Sequence, residues 1–107
     1  MAMTKFIQDG NVIDYVAAAN VEYRDVVAFA NRIGVSCEPI AAGETGAVAL
    51  TGVFEMPSVN TAISAGDAVY WDVNNKRITG TDTGNVPAGM CVATKASGTT
   101  VIRVRIG

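Results

Sequence analysis

The chain has 107 residues, half of them apolar and only 17% charged, where an ordinary soluble domain carries about 25%. That length suits one domain and is too short for two. A net charge of −2 argues against electrostatic capture of nucleic acid. The absence of histidine removes Ser-His-Asp and Cys-His catalysis, together with the commonest general base.

The apolar half is lopsided: sixteen Ala and fifteen Val stand against seven aromatic residues. Small side chains build a thin core, and mean hydropathy is nevertheless +0.29. This surplus predicts a protein that works as an oligomer or against another protein. The longest uncharged stretch, Thr83 to Thr94, has twelve residues and contains Pro87, so no helical membrane span of about 18 residues is expected. The start has no apolar h-region, which reads as a cytoplasmic chain with Cys37 and Cys91 reduced. Two Cys this far apart match no metal spacing, so neither metal nor other cofactor is expected.

The elements, taken in chain order, are short and β-like. Phe6-Ile7 reads either as a first strand or, within residues 1–7, as an extended arm. Val12–Val16, Asp25–Phe29 and Ile33–Cys37 follow as strands. In Ala47 to Glu55, alternation puts Val48, Leu50 and Phe54 toward the core, with Thr51 and Glu55 outside. Val59, Ala62 and Ile63 fall at helical spacing, with Ser58 able to cap and Gly66 able to stop a turn or two of helix. Asn74-Asn75 predicts a hairpin between Val69–Val73 and Arg77–Thr79, because Asn tolerates the left-handed conformation. Ser97-Gly98 predicts another between Met90–Thr94 and Thr100–Ile106. In the last strand Ile102, Val104 and Ile106 share one face, and Arg103 and Arg105 the other.

Turn residues recur about every ten positions, from Asp9-Gly10 to Ser97-Gly98. The fold class is therefore all-β: one small domain over residues 1–107, a barrel or sandwich of short antiparallel strands with at most one short helix. No internal repeat or linker is visible.

Chemistry-bearing motifs are sparse. Ala42-Gly43-Glu44-Thr45-Gly46-Ala47 lacks the Lys of a phosphate loop and carries an acid where phosphate would sit, so it reads as a turn between strands. The carboxylates are scattered singly, mostly beside Gly or Asn, which suits turn chemistry better than a paired acid and base. Cys37 and Cys91 lie in apolar runs and read as small buried hydrophobes. Arg103 and Arg105 read as solvated charges protecting an edge strand rather than as a phosphate-binding stripe. Alternation places Tyr70 and Trp71 on opposite faces of their strand, one in the core and the other outward, where it is open to packing or to anchoring a partner.

Five segments in order, Phe6 to Tyr15, Gly34-Val35, Gly52 to Pro57, Ala65 to Asp72 and Val101 to Arg105, resemble a family of small tailed-phage and prophage capsid cement, or head decoration, proteins. The family once carried the label of a RecA/RadA-type recombinase, which the missing phosphate loop and the small β-type chain contradict. Asn20 to Arg24 is less Gly-rich than the family pattern. The resemblance implies a structural, non-enzymatic virion protein made in the bacterial host cytoplasm. It would bind the major capsid protein on the outside of the assembled head, without nucleic acid or membrane. It also implies a homo-oligomer, a trimer before a dimer. The candidate capsid or subunit contacts are Lys5, Phe6, Ile7, Tyr70 and Trp71. The alternative is a β-barrel binding module elsewhere in a phage particle, such as a tail or host-surface adaptor.

Overall fold

A computed structural model describes residues 10–107; the Phe6-Ile7 strand and the arm over residues 1–7 lie outside them. Nine strands follow one another: β1 (Val12–Val16), β2 (Val26–Ala28), β3 (Ile33–Ser36), β4 (Thr45–Ala49), β5 (Gly52–Pro57), β6 (Ala68–Asp72), β7 (Arg77–Thr79), β8 (Val86–Cys91) and β9 (Val101–Ile106). They form two antiparallel sheets, one of four strands in the order β1-β4-β3-β2 and one of five in the order β5-β9-β8-β6-β7. The architecture is sandwich-like rather than a closed barrel, and no helix occurs among the described residues.

The run from Ala47 to Glu55 divides between the sheets. Leu50 and Thr51 turn the corner between β4 and β5 and are tied to the start of β1: the Leu50 amide donates to the Asn11 carbonyl at 2.8 Å. The Thr51 hydroxyl bonds the Asn11 side chain at 3.1 Å. Val48 is fully buried and Phe54, half-buried, packs against the core as expected, whereas Leu50 is half-buried at the corner itself.

Residues 58–63 run as bridges and bends into the Ser64–Asp67 turn, correcting the expected helical turn. The Ser58 amide donates to the Thr100 carbonyl and the Val59 amide to the Ile78 carbonyl, while Ile63 and Lys95 exchange a pair of backbone bonds. Strand neighbours on both sides satisfy this backbone, whereas an isolated helical turn nucleates poorly.

The β6–β7 hairpin forms where expected, but its left-handed residue is Lys76, at φ 54°, and not an Asn. The strand expected over Met90–Thr94 lies earlier, at β8. Its link to β9 is no tight hairpin, because residues 92–100 swing out to reach Ile63.

A turn plan recurs that periodicity in the sequence does not reveal. In Glu22–Asp25, Ala41–Glu44, Ser64–Asp67, Asp82–Asn85 and Ala96–Thr99, the first carbonyl accepts the fourth amide. The third residue has positive φ in each: Arg24, Gly43, Gly66, Gly84 and Gly98. This is the pattern of a type II turn, and each instance feeds a strand. Two isolated bridges, Val21 with Ile40 and Ile63 with Lys95, precede four of the five.

The core is in two parts that share β3 as a wall. All four β3 residues are buried. Ile33 and Val35 enter the larger core with Met56, Trp71, Ile78, Val104 and others. Gly34 faces the smaller core of Ala17, Val27, Ile40 and Val48. A Cβ at Gly34 would stand 2.5 Å from a Val48 methyl carbon, so this glycine serves close packing within a strand rather than a turn.

Candidate functional site

The outer face of the five-stranded sheet carries the largest share of the unburied apolar side chains. Register places Val53 (β5), Arg105 (β9), Met90 (β8) and Ala68 (β6) directly across from one another in one row. Glu55 opposes Arg103 and Pro57 opposes Val101 in the flanking rows. Val53, Met90 and Val101 are exposed, and directly opposed side chains on a sheet touch. The Arg105 stem therefore lies between two apolar neighbours with its cation at the surface. Arg103 and Glu55 stand 3.9 Å apart, each more than half exposed, so their attraction is heavily screened and worth little. Both arginines sit on β9, which is interior to its sheet; they do not guard an edge, correcting the expectation.

Of the residues singled out in the sequence, Trp71 is 7% exposed and belongs to the larger core. Tyr70 is half-buried on the opposite face. Lys5, Phe6 and Ile7 lie outside the described residues. The structure thus brings Tyr70 and Trp71 together only as neighbours on opposite sides of one strand.

Three of the carboxylates are engaged in turns. Asp25 accepts the Glu22 amide at 2.9 Å and Asp67 the Ser64 amide at 3.1 Å. Asp72 accepts the Asn74 and Asn75 amides and the Asn75 side chain. The Asn75 side chain, then its amide, hold the Asp72 carboxyl below the usual aspartate value, aided by Asn74 and the Arg77 charge. Among the described residues no three His, Cys, Asp or Glu side chains converge as a metal site. Cys91 is buried, but Cys37 is exposed, contrary to expectation, because the buried run ends at Ser36.

One buried ion escaped the sequence reading. Lys95 is 6% exposed, and its ammonium donates to the Thr61 carbonyl and, at 2.8 Å, to the Thr99 carbonyl. It pins the bridge at Ile63 to the turn that feeds β9. A single Lys in a turn-rich stretch carries no local signal of burial; only the pairing across 32 positions creates it.

A compact pair of antiparallel sheets, carboxylates used as turn staples and an apolar, arginine-bearing outer face define a protein built to present surface. The model of the phage cement protein family matches residues 7–106, nearly the whole chain. The protein belongs to that family, and its role is associated with the phage capsid. Comparisons with curated proteins and with solved structures find no match.

Proposed function

We propose that the protein docks on the outer surface of the assembled phage head, against the major capsid protein, and stabilises the shell without catalysing a reaction. The single observation that carries this reading is the family match over residues 7–106. The physics supports it: a cement subunit adds interface across a capsomer junction, so opening the junction must also expose that interface. Interfaces of standard size bury about 1,600 Å² in total. Repetition over many equivalent sites converts modest affinity into resistance to rupture, and self-association, as a trimer before a dimer, adds avidity.

The proposed contacts are the outer face around Val53, Met90, Tyr70 and Arg105, together with Lys5, Phe6 and Ile7 in the N-terminal segment. Trp71, buried beneath that face, would act by holding it flat. Co-sedimentation of the purified protein with undecorated heads, followed by imaging, tests the reading. Regular extra density on the outer surface is expected; heads that stay bare at saturating protein overturn it.

A further inference from the structure

The two sheets leave a cleft between two open strand edges. β2 ends one sheet and β5 ends the other. Two adjoining cavities, of about 400 and 390 Å³, run between them and share Arg24, Val26 and Pro57. The floor is apolar, with Val35, Met56 and Trp71.

Backbone parity shows what the walls offer. The Ser58 amide bonds Thr100 on the β9 side, while the Val59 amide points the other way, to Ile78. Antiparallel pairing alternates these directions residue by residue. Val53 and Glu55 therefore turn both their amides and carbonyls away from β9, toward the cleft, whereas the Pro57 carbonyl on that side is taken up by β7 through the Ser58–Ile78 bridge. No partner for the Val53 and Glu55 groups is found among the described residues. Across the cleft, the Ser36 amide bonds Asp25 and the Phe29 amide bonds Arg32, so by the same parity Val26 and Ala28 present the free edge of β2.

Charge selects among extended segments. The two carboxylates lining the cleft keep their charge but are drawn to other donors, Asp25 to the Glu22 amide and Glu55 to Arg103. The cations Arg24 and Lys76 have no carboxylate within ion-pair distance among the described residues. Arg24 lies over the Phe54 ring at 5.5 Å and the Tyr23 ring at 4.9 Å. It also holds φ 67°, where the other four turns of its kind place Gly. A non-Gly residue there is strained, and it sets a cation where the two cavities meet.

We propose that this cleft takes an extended segment of the partner polypeptide as an added strand on β5, with apolar side chains on the floor and acidic ones toward Arg24 and Lys76. Main-chain bonds to Val53 and Glu55 supply affinity and the alternate side chains supply specificity, as in other cases of strand addition. The inference rests on the reading above only in that the partner is another polypeptide.

The test uses the full chain and a synthetic peptide, acetyl-Thr-Glu-Val-Glu-Val-Glu-Thr-amide, with a counterpart bearing Lys in place of Glu. Hydrogen exchange at the Val53 and Glu55 amides is expected to slow by about tenfold or more with the acidic peptide and to be unaffected by the basic one. Val53→Pro removes an amide that pairing with β9 does not use and should abolish binding, while Val53→Ala retains it. Arg24→Gln with Lys76→Gln should weaken it. Unchanged exchange at millimolar acidic peptide, equal binding of the basic peptide, or full binding by a folded Val53→Pro variant would overturn the proposal. If Val53→Pro instead abolishes self-association and leaves peptide binding intact, the occupant is a second copy and the proposal also fails. Because heads are absent from this experiment, its failure leaves head decoration standing, and failure of head decoration leaves peptide binding to be judged by itself.

Discussion

Ser36 and Asp25 hold each other twice: the Ser36 amide donates to the Asp25 carbonyl at 2.9 Å, and the Asp25 amide donates to the Ser36 hydroxyl oxygen at 3.0 Å. The same hydroxyl donates onward to the Glu22 carbonyl, and Ser36 is wholly buried. One side chain thus fastens the Glu22–Asp25 turn, and with it Arg24, to the central strand β3. Ser36→Ala removes two bonds of a buried hydroxyl and leaves the Asp25 amide and Glu22 carbonyl only the bond they share across the turn, which should cost about 1–3 kcal/mol. Urea unfolding checks the value, and a loss under about 0.5 kcal/mol would remove Ser36 as the fastening point.

Arg24 and Gly66 occupy the same place in matching turns, at φ 67° and φ 93°, and an added Cβ at Gly66 meets nothing within 4 Å. The cost of Gly66→Ala is therefore conformational, about 1 kcal/mol. Arg24→Gly relieves that strain while losing two ring contacts and should change stability by less than about 1 kcal/mol. Paired thermal melts compare the two; a loss of several kcal/mol in Arg24→Gly would show that the side chain is needed to fold.

Lys95→Met retains the apolar stem but leaves the Thr61 and Thr99 carbonyls without their ammonium donor. Removing one partner of a buried, charge-assisted bond should cost about 1–3 kcal/mol. The loss should concentrate in residues 61–63 and 95–99, read as faster amide exchange there. Faster exchange spread evenly over both sheets would count against a local pin.

Asp72 is held below its ordinary value by Asn75, Asn74 and Arg77. Its carboxylate therefore contributes stability that is full above the unfolded value, about pH 4, and fades as pH falls through the folded value. The difference in melting temperature between the wild type and Asp72→Asn should hold from neutral pH to about 4 and narrow below it. A difference constant to about pH 2 would place the effect elsewhere in the turn.

Deleting Met1 to Ile7 removes Lys5, Phe6 and Ile7, which precede every described strand. The expected result is a folded protein with reduced occupancy on undecorated heads, measured by co-sedimentation beside the full chain. Full occupancy would exclude the segment from the contact.

The sequence alone determined most of the strand inventory and, in the last strand, which side faces the core. In Val101–Ile106 the alternation is unbroken, and the burial follows it residue by residue; that Tyr70 and Trp71 take opposite faces follows in the same way, while packing decided that Trp71 is the buried one. These are properties of covalent neighbours, which a period of two records directly. The bridged path of residues 58–63, the corner at Leu50 and Thr51, the burial of β3 on both faces and the buried ammonium of Lys95 were decided only by tertiary structure. Each depends on a partner far along the chain: Thr100 for Ser58, Asn11 for Leu50, Val48 for Gly34 and Thr61 for Lys95. The cleft between β2 and β5 belongs to the same class, because an open edge exists only once every other strand has taken its neighbour.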